Sequence, residues 1–184
     1  MTFLTGGRSA PFDSPGAGEG GVAAEPPAVR LLPSAIRVYL APGLLYASAE
    51  AVQVTTILGS CVAVCLWDPQ QRVGGINHFL LPEGVPPSTR FGANAVPMLI
   101  ERVLELGARR ARLKAKVFGG ACVLEAFRAS SQPLGARNVE VARERLRAEE
   151  IPVVGEDVGG DLGRKLVFDV QTGSVWIRAI AAKS

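Results

Sequence analysis

The sequence predicts a mixed α/β domain of the α+β type. Three observations carry this: a series of short β-rich runs bounded by Pro and Gly, two longer segments with apolar residues at three- and four-residue spacing, and a length suited to one core. A chain of 184 residues, 48% hydrophobic and 20% charged, can bury one sizeable interior and is short for two.

Residues 1–30 are rich in Gly, Pro, Ala and Ser, with no sustained helical or strand period. Such a segment buries too little apolar surface to offset its ordering entropy and reads as a flexible tail ahead of one domain spanning 31–184. Runs at 35–40 and 53–58 read as strands. Residues 60–68 are nearly all apolar, which fits a strand buried on both faces. Asp68-Pro69-Gln70-Gln71 reads as a turn, so 73–81 should return as the second strand of a hairpin. The Pro- and Gly-containing stretch 81–88 reads as a surface loop.

At 94–106, Val96, Leu99, Ile100, Val103 and Leu104 share one helical face and Gly107 ends it, with Pro97 expected in the first turn, where a missing N–H costs nothing. A strand at 113–118 leads into Gly119-Gly120. Val139, Ala142 and Leu146 mark a second helix over 138–149. Strands at 151–154, 165–169 and 174–180 follow, the last two joined by a turn at Gln171-Thr172-Gly173.

Composition excludes several function classes. A net charge of +3 with scattered basic residues is too small a footprint for nucleic-acid binding, and Arg109-Arg110-Ala111-Arg112 reads as solvation of a helix end. No apolar run approaches the roughly 18 residues of a membrane span. The first ten residues lack a secretory pattern, which points to the cytoplasm. Three cysteines in a chain of this length do not make a disulfide framework.

Chemistry centres on Cys61 and His78. Cys61 follows Gly59-Ser60 at the start of a buried strand, where a glycine permits close backbone approach and backbone N–H groups at Ser60 or Cys61 can stabilise an oxyanion. A thiol with a pKa of about 8.5 needs a base, and the chain has one histidine. A near-symmetric hairpin brings His78, seventeen positions on, beside the cysteine. A third group should orient the imidazole; Thr55 and Thr56 are the candidates, and strand alternation lets only one of them face the site. The competing readings are an inert core cysteine, a satisfied core histidine, and a zinc site built from Cys61, Cys65, Cys122 and His78. The last lacks a knuckle turn between Cys61 and Cys65.

These residues sit in recognisable strings. Leu58-Gly59-Ser60-Cys61-Val62-Ala63-Val64 and Gly74-Gly75-Ile76-Asn77-His78-Phe79-Leu80-Leu81-Pro82 resemble the two signature segments of the chemoreceptor glutamine deamidase family, CheD. The likeness continues through Lys116-Val117-Phe118-Gly119-Gly120-Ala121, Leu134-Gly135-Ala136-Arg137-Asn138-Val139, Glu156-Asp157-Val158-Gly159-Gly160 and Gly163-Arg164-Lys165. Order and spacing agree over about 31–180, and several motifs in register are far more specific than any one alone.

The resemblance implies a fold of mixed β-sheets layered with flanking helices, shared with toxin deamidases, and a catalytic set of Cys61, His78 and Thr55 supported by Gly59 and Ser60. It implies hydrolysis of receptor glutamine side chains to glutamate through a thioester, with no cofactor or metal. Partners would be chemotaxis receptor cytoplasmic domains and a CheC-type phosphatase. Separately from the resemblance, the loop 81–90 and the segment 159–163 are candidates for a docking rim, because binding residues tend to lie on loops held by a rigid scaffold, with plain turn chemistry as the competing reading. A non-catalytic adaptor and a thiol hydrolase with another protein substrate are the alternatives.

Overall fold

The computed structural model describes residues 36–123 and 133–180. The expected tail therefore lies outside the described residues. Within them the order is β1 (Ile36–Tyr39), β2 (Leu45–Ser48), β3 (Val52–Leu58), β4 (Val62–Asp68), β5 (Val73–Asn77), α1 (Gly92–Glu105), β6 (Lys114–Gly119), α2 (Leu134–Ala148), β7 (Val153–Val158), β8 (Gly163–Asp169) and β9 (Val175–Ile180). The strands form two mixed sheets, one ordered β1-β3-β8-β9 and the other β2-β5-β4-β6-β7. In each sheet one pair is parallel, β1 with β3 and β6 with β7. The expected mixed α/β class is what the chain adopts.

Burial explains the layering. All seven residues of β4 are buried, because the strand is covered on both sides. Val62, Val64 and Leu66 join the core under α1 and α2, while Ala63, Cys65 and Trp67 join the core between the two sheets. In β3, by contrast, Val52, Val54, Thr56 and Leu58 are buried and the alternate residues are not. That is the pattern of a strand covered on one face. Helices, five-stranded sheet and four-stranded sheet are thus stacked in that order.

The β4–β5 hairpin forms where expected. Asp68 closes it: its Oδ1 accepts the N–H groups of Gln70 at 2.9 Å and Gln71 at 3.1 Å. Its Oδ2 accepts the Arg109 N–H at 2.9 Å and Arg112 Nε at 3.1 Å. Burial of the carboxyl favours its neutral form, but those donors together hold its pKa below the usual carboxylate range. The basic cluster at 109–112 therefore does more than solvate a helix end, since Arg112 is the ion-pair partner of the buried Asp68.

Both helices begin earlier than their apolar periodicity predicts. α1 starts at Gly92, so Pro97 lies inside the helix rather than in its first turn. α2 starts at Leu134 after Pro133. Its first turn contains Gly135, whose added Cβ would collide with the Gly120 carbonyl. The two backbones touch there, which favours a glycine that helix propensity alone disfavours.

Candidate active site

Strand register settles which side chains share a face. Cys65 pairs with Ile76 in the β4–β5 ladder, and an isolated antiparallel bridge pairs Val62 with Phe79. The count is the same at both places, so Cys61 stands opposite Leu80, with His78 one diagonal step away on the same face. Diagonal neighbours of this kind lie about 7–8 Å apart at Cα, within reach of long side chains. Cys61 packs against the core between the two sheets, and His78 hydrogen-bonds to the inward face of β3. Both side chains therefore point into the same interlayer space.

The histidine is buried, 1% exposed, and its tautomer follows from its partners. Thr56 Oγ1 donates its one hydrogen to the Leu40 carbonyl at 2.8 Å. The same oxygen lies 2.8 Å from His78 Nδ1. With its hydrogen committed, it can only accept there, so Nδ1 carries the proton and Nε2 keeps its lone pair. Burial pushes the imidazole pKa down from 6.5 to about 4, partly offset by the Leu40 carbonyl.

Thr56, not Thr55, holds the ring. Thr55 is on the opposite, outward phase of β3, where its backbone carbonyl accepts the Leu40 N–H. The sequence carried the signal that distinguishes them: Val52, Val54 and Leu58 share a parity with Thr56, and the apolar phase of a half-covered strand faces inward.

Cys61 is partly buried. Burial pushes its thiol pKa up, and its own backbone N–H pulls it back. Cys65 is fully buried and its pKa is driven upward by desolvation, which leaves it inert as a nucleophile. Among the described residues no three His, Cys, Asp or Glu side chains gather as a metal site, so the zinc alternative has no ligand set there.

The backbone before β4 is held carbonyl by carbonyl. Gly59 O accepts the Ala121 N–H and Cys61 O accepts the Gly120 N–H, both at 2.8 Å. Ser60 O, between them, accepts Asn138 Nδ2 at 3.0 Å. Gly119 has φ +107°, and a Cβ there would collide with the Cys61 carbonyl oxygen. That contact explains why the strand ends in Gly119-Gly120.

Residues 81–179 match the family model for CheD chemotactic sensory transduction. Over 146 residues the chain is 53% identical to the probable chemoreceptor glutamine deamidase CheD 1 of Anaeromyxobacter dehalogenans, covering 78% of this chain and 85% of that protein. The chain belongs to the CheD family. A second CheD relative, the probable chemoreceptor glutamine deamidase of Trichlorobacter lovleyi, is 47% identical over 147 residues, covering 77% of this chain and 90% of its own. Among solved structures, a hypothetical protein YfiH from Bacillus licheniformis aligns over 72% of this chain and 59% of its own at 16% identity with a TM-score of 0.41, too loose a likeness to bear on function.

Two further residues of this CheD chain stand beside the site and were not singled out from sequence. Asn138, on α2, is fully buried and donates to Leu80 O at 2.9 Å as well as to Ser60 O. Arg164, on β8, donates to Gly119 O at 2.7 Å and Gly159 O at 2.8 Å and pairs with Asp157 at 3.3 Å. It ties the four-stranded sheet to the end of β6 that supports Cys61. A polar residue at an inward position of an otherwise apolar pattern was the available signal in both cases. No helix of the described residues is long and apolar enough to cross a membrane.

Proposed function

We propose that this chain is a cytoplasmic amidohydrolase that converts glutamine side chains of chemotaxis receptors to glutamate, with Cys61 as nucleophile, His78 as base and Thr56 as the group that orients it. The observation that carries the reading is the bond between Thr56 Oγ1 and His78 Nδ1, which leaves Nε2 as the basic nitrogen on the face of the sheet that holds Cys61.

At rest the pair is neutral on both sides, because burial disfavours imidazolium and thiolate alike. The imidazole acts as a general base during attack rather than as half of a standing ion pair. His78 Nε2 takes the Sγ proton as sulfur bonds to the carboxamide carbon. The carbonyl electron pair moves onto oxygen, where backbone N–H groups at Ser60 or Cys61 stabilise it. Neither group makes a backbone hydrogen bond among the described residues. Collapse of the adduct breaks the C–N bond, the imidazolium proton goes to the departing nitrogen, and ammonia leaves. Water, deprotonated by Nε2, then attacks the thioester; the carboxylate is released and the thiol regains its proton. This chemistry uses no metal or organic cofactor.

The relatives are named for chemoreceptor glutamine deamidation, and that substrate is extended here to this chain. Docking falls to the loop after Leu81, where Val85 is 90% exposed, and to the segment 159–163, whose Gly160 carbonyl accepts the Cys122 N–H beside the site. A CheC-type phosphatase is the second partner and competes for the same rim.

Mass spectrometry of a receptor cytoplasmic fragment tests the reading. Each converted glutamine gains ~1 Da, and Cys61→Ala removes the conversion, at least ~10⁴-fold in rate, while leaving the fold intact. No conversion by the unsubstituted protein would sink the enzymatic reading and leave a receptor-binding adaptor.

A further inference from the structure

The open end of the β4–β5 hairpin contains an irregularity that the proposed reaction does not explain. After the Val62–Phe79 bridge, a continuing antiparallel ladder would hydrogen-bond Ser60 with Leu81. It does not. Leu81 instead turns away to pair with Phe91, its N–H bonding to the Arg90 carbonyl and its own carbonyl accepting the Gly92 N–H. The Ser60 carbonyl is thereby released from the sheet, one residue before the nucleophile. The Leu80 carbonyl belongs to the next, non-hydrogen-bonded position of the ladder and so has no claim on β4 either.

Asn138 takes up both. Its Nδ2 lies 3.0 Å from Ser60 O and 2.9 Å from Leu80 O, one hydrogen for each. The amide orientation is forced, since the flipped form would place Oδ1 against two carbonyl oxygens. In the orientation adopted, Oδ1 is buried with no hydrogen-bond partner among the described residues. Buried acceptors are rarely left unmet, so the two carbonyls outweigh the loss of that one.

A peptide unit is planar, with its C=O and N–H pointing in opposite directions. Holding Ser60 O toward α2 therefore aims the N–H of Cys61 away from α2. On that side lies the Cys61 side chain, which packs against the core between the two sheets. We propose that Asn138 is a positioning residue for the deamidation chemistry: it fixes the Ser60–Cys61 peptide plane so that the Cys61 N–H serves the thiolate and then the oxyanion. The inference rests on the proposed function for its reaction, but the plane it fixes acts on the sulfur whatever the substrate.

The test reads thiol reactivity and turnover separately in the full-length protein. The rate of iodoacetamide alkylation at Cys61, followed by peptide mass spectrometry against pH, reports the thiolate. In Asn138→Ala the midpoint of that profile moves up by about half a unit to one unit, and kcat for receptor deamidation falls about 10- to 100-fold with KM changed less than about 2-fold. Asn138→Ser, which loses less volume and keeps one hydroxyl donor, gives a smaller shift in the same direction and covers the case in which the alanine variant does not fold. Leu146→Ala, a buried position on the same helix, lowers Tm but leaves the alkylation profile in place. An unshifted profile in folded Asn138 variants would overturn the proposal, and so would a shift of equal size in Leu146→Ala. If the unsubstituted protein alkylates selectively at Cys61 yet deamidates no receptor, the parent reading fails and the alkylation comparison still decides the role of Asn138.

Discussion

The two ends of the β4–β5 hairpin are built on opposite principles. At the closed end, Asp68 satisfies four donors with two oxygens, and the ladder from Cys65–Ile76 to Asp68–Val73 is regular. At the open end the ladder is interrupted. The Val64 N–H goes to Asn77 Oδ1, and the chain parts after Val62–Phe79. Asn77 Nδ2 and Asn138 Oδ1 are both buried with no hydrogen-bond partner among the described residues, and a buried histidine is held far below its ordinary pKa. At the closed end the one such atom, Arg112 Nη2, still lies 3.0 Å from Asp68 Oδ2 in an ion pair, so the hairpin concentrates stability at that end and the polar groups with neither kind of partner at the other. Local rules tend to be broken at functional sites and compensated elsewhere, and here the compensation lies within the same two strands.

If that division is real, substitutions at the two ends should separate stability from activity. The largest stability effect belongs to the closed end. Asp68→Ala leaves two turn N–H groups, the Arg109 N–H and the Arg112 guanidinium without their acceptor, at a cost of about 3–5 kcal/mol. Urea unfolding would show this as a lower midpoint at unchanged m-value. Deamidation per folded molecule should remain near that of the unsubstituted protein. A loss of activity well beyond the loss of folded protein would show that the turn reaches the site and would break the comparison.

The open end should reveal itself through pH. His78 titrates near 4 when folded and near 6.5 when unfolded. Between those values the unfolded chain binds a proton that the folded chain refuses, so stability falls as pH drops from 6.5 to 4 and is fully present above 6.5. The integrated difference is on the order of 3 kcal/mol. Asp68, whose pKa is lowered, adds its own loss in acid, so the measurement is the difference in pH dependence between the unsubstituted protein and His78→Gln. Thermal melts from pH 7 to pH 4 should run more steeply for the protein with histidine. Parallel curves would show that the imidazole is not held neutral.

Much of this region was legible in the sequence because it depends on counting. A turn at Asp68 and strands of period two fix which residues share a face, and the lone histidine left one candidate base. What was not legible depends on non-local packing. The division into two sheets rests on pairings such as β1 with β3 and β3 with β8, which no local pattern encodes. β2 was missed because four residues at a sheet edge, all only partly buried, carry too short a pattern. The first turn of α2 was missed because Gly135 disfavours a helix in isolation and is favoured only by contact with Gly120.

The choice between the two threonines is the finest discrimination the comparison allows, since the residues are adjacent and chemically identical. Thr56→Val keeps the shape and removes the oxygen that accepts from His78 Nδ1, so the ring loses its fixed tautomer and the Leu40 carbonyl loses its donor. The expected loss is about 10- to 100-fold in kcat, the ordinary scale for disturbing a general base, with a stability change of about 1 kcal/mol. Thr55→Val alters a partly exposed side chain on the other face and should move both quantities by less than about 0.5 kcal/mol. Receptor-fragment deamidation measured side by side on the two variants, with Tm as the control, decides the matter. Should Thr55→Val be the damaging substitution, β3 would have to present its opposite face to the histidine in the working enzyme, and the parity of Val52, Val54 and Leu58 would have misled.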